Sequence, residues 1–162
     1  MRIPPLLLLF STTLLAQAAP TLQFRGTPGS AHATIAAAPA DVTGAPGAKV
    51  SLAVDVTPKP NIHVYAPGSK DYIPITLQLD QKSGIKAAGK LTYPKSETMT
   101  FGDDRVAVFQ KPFRLTQDVT LPKSSKPGTT ATVTGTVHLQ ACDDRVCFPP
   151  ENVPVSWHVT VK

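Results

Sequence analysis

Cysteine is nearly missing from this chain. Of its 162 residues only Cys142 and Cys147 carry thiols, so one intramolecular disulfide is the maximum, and a metal site would have to recruit His or Met as further ligands. Long apolar runs are equally scarce. The one present, "IPPLLLLFSTTLL" near the start, is shorter than the roughly 20 apolar residues of a membrane span. No cysteine stands near it, which argues against a lipid anchor. Charge of one sign is weak as well. A formal charge of +5, spread as single Lys and Arg residues among Thr, Pro and Asp, describes a solvated surface and not a nucleic-acid footprint. Finally, no segment sustains a helical period, which excludes helical bundles.

What is present begins with an export signal. Met1 and Arg2 form a basic start, the apolar run has signal-peptide length, and Ala16, Gln17 and Ala18 offer small residues where a signal peptidase reads. Residues 1–18 are therefore expected to be removed, leaving one domain's length of chain in the periplasm, where disulfides persist. Residues 19–48 are rich in Ala, Pro, Gly and Thr. They are expected to form a loose arm, with Ile35 in "HATIAAA" able to seat a short first strand.

From residue 49 to 162 the period is two. In "KVSLAVDV", Val50, Leu52, Val54 and Val56 alternate with Ser51, Ala53 and Asp55. "IHVY", "IPITLQL", "KLTY", "RVAVF", "FRLTQDVTL", "TATVTGTVHLQA" and "VPVSWHVTV" read the same way, each bounded by Pro, Gly, Asp or Lys-Ser clusters. Eight or nine short strands predict an all-β, antiparallel sandwich. Trp157 shares a face with Val155, Val159 and Val161 and is expected in the core.

The two thiols fall in "QACDDRVCFPPE". Alternation from Val137 and Leu139 places Cys142 on the opposite, more polar face, away from the core. If Asp143–Val146 make a four-residue hairpin loop, Cys142 faces Cys147 at a Cα separation of about 4.5 to 5.5 Å, within disulfide reach. That pairing sets Val137 opposite Asn152, out of phase with Val153, Val155 and Trp157. One residue must be absorbed, and the prolines of "FPPE" suit a bulge. The expected result is an irregular, partly exposed hairpin end.

Three uses of the pair stand open. A structural staple closes a loop of only about six residues, worth roughly 2 kcal/mol. A metal site needs His32, His63, His138, His158 or Met99 as partners, and His138 lies about 13 Å along the strand from Cys142. A redox couple needs only the two sulfurs.

"LQACDDRVCFPPE" resembles the active-site hairpin of the N-terminal periplasmic domain family of the thiol:disulfide interchange protein DsbD. The likeness extends to "PKPNIHVYAPGS", with His63 and Tyr65, and to "LTYPKSETMTFGDDRVAVFQ", and covers about residues 31–162. The resemblance implies an immunoglobulin-like sandwich with a cycling disulfide and no cofactor or bound metal. It implies a protein-disulfide reductase component that takes electrons from a membrane-embedded partner and passes them to periplasmic thioredoxin-fold proteins. It assigns Cys147 as the thiol that joins partners and Cys142 as the resolving thiol. Met99 or Phe101, in a cap loop around Glu97–Gly102, would cover the sulfurs, with His63 and Tyr65 in support. Because this chain stops after that domain, its donor is expected on a separate polypeptide. Asp143 and Asp144 disfavour a thiolate and Arg145 favours one, so the isolated pair is expected to react sluggishly. The alternative reading is a secreted immunoglobulin-like interaction domain with a static disulfide.

Overall fold

The computed structural model describes residues 29–68, 71–101 and 103–162; the expected signal peptide, residues 1–18, lies outside them. The described residues form twelve strands: β1 (Ala33–Ala37), β2 (Asp41–Gly44), β3 (Lys49–Pro58), β4 (His63–Tyr65), β5 (Thr76–Leu79), β6 (Lys86–Ala87), β7 (Glu97–Phe101), β8 (Asp104–Phe109), β9 (Phe113–Thr120), β10 (Thr130–Leu139), β11 (Ala141–Cys142) and β12 (Glu151–Val161). They assemble into three four-stranded sheets in the orders β1-β3-β9-β6, β2-β12-β10-β5 and β11-β4-β8-β7. All pairings are antiparallel except β2 with β12, which is parallel.

The period of two explains the packing. Along β12 the buried positions are Val153, Val155, Trp157, Val159 and Val161, with exposed or half-buried residues between them. Val153, Val155, Trp157 and Val159 meet Leu52, Val54 and Val56 of β3 and Leu115 and Val119 of β9 in one core. Trp157 is fully buried, and its indole N–H donates to Ala53 O at 3.0 Å, so its one polar atom is satisfied across the sandwich.

Several expectations are amended. More strands form than the eight or nine predicted, because short irregular stretches also pair. Residues 33–44, expected mainly as a loose arm, supply β1 and β2, with Ala33 and Ile35 each 1% exposed. The pairing of β1 with β3, register Ile35↔Val56, carries Ala33 and Ile35 into the core. "KLTY" contributes only a bridge between Thr92 and Thr116. The expected cap loop is instead an antiparallel hairpin, β7 pairing β8 from Glu97↔Val108 to Phe101↔Asp104.

The sheet β11-β4-β8-β7 acts as a partition. Val64, Ala107 and Phe109 face the main core, whereas Tyr65, Val106, Val108 and Cys142 form a second cluster on the other face. Strand β4 is buried at all three positions because both of its faces are covered.

Candidate functional site: the cysteine hairpin and its aromatic cover

The second cluster is positioned by a register change. Strands β10 and β12 pair in phase, with Val137↔Val153 and Leu139↔Glu151. Beyond them Phe148 N–H donates to Ala141 O at 2.9 Å and Cys142 bridges Cys147. One residue on the first strand, Gln140, thus opposes two on the second, Pro149 and Pro150. This is the expected bulge, sited where two prolines could not have supplied ladder donors.

The bulge also overturns one expectation. Strand β10 ends at Leu139, and Ala141–Cys142 restart as β11 in a different sheet, paired to β4 with Ala141↔Val64 and Cys142↔His63. Cys142 is therefore buried, 1% exposed, and not on a polar outer face. Alternation cannot be extrapolated through a break in the strand.

The two sulfurs form a disulfide with Cα atoms 4.1 Å apart, and their surroundings differ sharply. Cys142 sits under the cluster, whereas Cys147 is exposed at the end of the loop. That loop is tied by Asp143, whose carboxylate accepts hydrogen bonds from the Arg145 and Val146 amides at 2.7 and 2.8 Å. These amides hold its carboxyl below the usual range. Val146, beside Cys147, is an exposed large hydrophobic residue, 52% accessible.

Aromatic rings surround the pair. Tyr65 places its hydroxyl 3.4 Å from Cys147 Sγ. A disulfide carries no hydrogen, so the phenol is the only possible donor there. Burial first, then the charge and hydrogen bond of Tyr72, push the Tyr65 phenol up to about 12, so it keeps its proton throughout the working range. The Tyr72 ring stacks on Tyr65 at 4.2 Å. Phe101 reaches within 5.0 Å of the His63 ring. Strand β8 lies between β7 and β4, so the Phe101 side chain reaches across it on this face to the ring on β4. A cleft of about 100 Å³ remains, lined by Tyr65, Tyr72, Phe101, both cysteines and the loop between them. Met99 packs against the same cluster but does not line the cleft, and its sulfur contacts Gln110 Nε2.

His63 is 2% exposed and edges against Tyr65 at 5.6 Å. Its Nε2 is buried without a hydrogen-bond partner. Burial lowers its pKa, and the nearby Asp144 and Asp143 oppose that shift without cancelling it.

Sequence reasoning missed two features. Tyr72 sits in a polar connection with no periodicity to flag it. The segment before β1 clasps the residues that follow Cys147. There the His32 ring stacks on Phe148 at 3.9 Å, His32 Nδ1 pairs with Glu151 Oε1, and the Ala31 amide donates to Glu151 Oε2 at 3.0 Å. Burial raises the Glu151 carboxyl, but hydrogen bonds from Ser30, His32 and Ala31 outweigh it and hold the group below its ordinary value. The other histidines are dispersed: His138 bonds Asn152 and His158 faces Asp41. Among the described residues no three His, Cys, Asp or Glu side chains converge as a metal-binding group.

Comparison with known proteins matches residues 32–156 to the family described as "Thiol:disulfide interchange protein DsbD, N-terminal". Among solved structures the chain is similar to the N-terminal domain of DsbD from Neisseria meningitidis in the reduced form. That match has 14% identity over 72% of this chain and 78% of that one, with a TM-score of 0.45. It is also similar to the N-terminal periplasmic domain of ScsB from Proteus mirabilis, at 12% identity over 80% of this chain and a TM-score of 0.53. This chain spans 48% of that one, about half its length. The major pilin subunit BcpA of Bacillus cereus matches at 12% identity, over 80% of this chain and 40% of that one, with a TM-score of 0.47. At such identities the likeness concerns the sandwich alone. No curated protein matches the chain.

Proposed function

Because the chain belongs to the family of N-terminal domains of the thiol:disulfide interchange protein DsbD, we propose that it is a thiol-disulfide exchange module of the periplasm, exported by residues 1–18. It receives electrons from a membrane-embedded thiol donor and passes them to thioredoxin-fold proteins, as the reductase component of that relay. Cys147 forms the mixed disulfide with each partner, and Cys142 resolves it. The Phe101, Tyr72 and Tyr65 rings shield the pair between encounters, with Met99 packed behind them.

The observation that carries this reading is the asymmetry of the disulfide, with Cys142 buried and Cys147 exposed. A thiolate must approach one sulfur along the S–S axis, and the sulfur attacked is the accessible one. A partner that displaces the hairpin tip therefore meets Cys147 first. Val146 and the half-buried Phe148 beside it offer apolar surface for that contact.

The test is trapping. Reduced Cys142→Ser protein, mixed with an oxidised thioredoxin-fold protein, should accumulate a disulfide-linked complex through Cys147 on a non-reducing gel, whereas Cys147→Ser should accumulate little. Linkage through Cys142 reverses the roles. A reduction potential below about −300 mV, where structural bridges lie, would overturn exchange itself; the expected range is about −270 to −180 mV.

A further inference from the structure

Strand β4 places His63 directly across from Cys142 in the antiparallel register. Opposed residues share a face with Cβ atoms about 4.5 to 5.5 Å apart. Both side chains are buried, at 2% and 1% exposure. In the disulfide form neither sulfur has a proton to give, and His63 Nε2 is left without a partner. An unpaired buried nitrogen is costly. Reduction creates the missing donor, a Cys142 S–H, on the neighbouring strand.

Building on the exchange reading, we propose that His63 is the proton acceptor for Cys142 in the resolving half of the reaction. In the mixed disulfide, Cys142 S–H gives its proton to His63 Nε2, and the resulting thiolate attacks Cys147 Sγ. The Cys142–Cys147 bond forms as the Cys147–partner bond breaks. Two electrons leave on the partner's thiolate, so the partner disulfide is the oxidant and the protein dithiol is oxidised. The imidazolium then returns its proton to the departing thiolate or to solvent. In the reverse direction His63 first takes up the proton that the donor thiol releases on ionising, and the imidazolium so formed protonates the leaving Cys142 sulfur as the donor thiolate attacks Cys147.

The surroundings suit an acceptor. Burial favours the neutral ring in the disulfide state. The titratable and charged groups around it are Tyr65 on its own strand and Asp143 and Asp144 from the cysteine loop. Phe101 covers the ring from β7, and Asn61 and Gln110 share with Asp144 the cleft beside it. The two carboxylates favour the imidazolium once a proton arrives, and the protonated Tyr65 phenol does not compete for it.

The experiment follows both halves of exchange with 5,5′-dithiobis(2-nitrobenzoate). Reduced protein releases one thionitrobenzoate when Cys147 attacks and a second when Cys142 resolves the adduct. Both are read at 412 nm by stopped flow across pH 5 to 9. In the unmodified protein the second release should already be fast at pH 6 to 7. In His63→Phe and His63→Gln it should be slower at pH 7 by about a hundredfold, the scale of a lost general base. It should then climb tenfold per pH unit towards the ordinary thiol pKa. The first release serves as the internal control. An unchanged pH profile of the second release, or equal slowing of both releases, overturns the proposal. Should neither variant fold, nitrogen-15 spectra of the unmodified protein decide, because the His63 Nε2 resonance must shift between the disulfide and dithiol forms; an unmoved resonance overturns the assignment. Failure of the exchange reading looks different: both releases proceed normally, but no thioredoxin-fold disulfide is reduced.

Discussion

The main core and the cysteine-side cluster share one partition sheet and are built in opposite ways. The core draws on strands of ten, eight, ten and eleven residues, β3, β9, β10 and β12, filled with Val, Leu and Ile around one satisfied Trp. The cluster draws on β11, β4, β7 and β8, of two, three, five and six residues. It holds stacked rings, a disulfide and a buried imidazole with an unpaired nitrogen. Long ladders with apolar filling make a region that opens only on global unfolding. Short ladders covered by half-buried rings make one that opens locally. An exchange site needs the second kind held rigidly on the first.

The comparison is broken most directly at Trp157. Trp157→Ala should cost about 3 to 5 kcal/mol, read as a lower urea midpoint, and no single replacement in the cysteine cluster should approach it. Reducing the disulfide should cost less, roughly 2 kcal/mol for so short a loop, with the far-ultraviolet dichroism of the sandwich retained. Unfolding by dithiothreitol at room temperature would make the bridge a structural staple and erase the distinction between the regions.

Phe101→Ala sharpens the contrast in kinetics. Loss of a half-buried ring contact should lower stability by about 1 kcal/mol, while alkylation of reduced Cys147 by iodoacetamide should accelerate several-fold. An unchanged alkylation rate would mean the hairpin tip is no shield. The smallest effect belongs to the outer face of the core. Arg114 bonds Asp55 through two contacts, 2.6 and 2.8 Å, and these hold the Asp55 carboxyl below its ordinary 3.8. A depressed carboxyl contributes stability above its unfolded value, near 3.8, and loses it as pH falls through the lower folded value. Both side chains are solvated, so Arg114→Ala should lower the urea midpoint only slightly at pH 7, and the difference should shrink at pH 3, below the ordinary carboxyl value. Urea melts at the two pH values check this.

Alternation made the long strands legible, and the burial of Trp157 with them, because one residue in two must face the interior. Counting the cysteine register outward also located the bulge at "FPPE". The fate of Cys142 was hidden, since the same bulge that corrects the register hands the chain to another sheet. The cap was expected as a loop because the family resemblance implied one, and the alternation of Thr with large side chains in "ETMTFG" is too short a pattern to have corrected it. Tyr72 and the His32–Phe148–Glu151 contacts join residues distant in sequence through side chains alone, and no local period encodes them.

The clasp between His32 and Glu151 fixes where handles can be attached. Chain entering at Ser30 arrives alongside Phe148, next to the exposed sulfur. From Glu151 the eleven residues of β12 run about 36 Å away at some 3.3 Å each. A fluorophore or affinity tag joined ahead of Ser30 would therefore crowd the sulfur that partners must reach. The same group joined after Lys162 stands a strand's length off, so that protein immobilised through its final residues presents the cysteine end outward to solution.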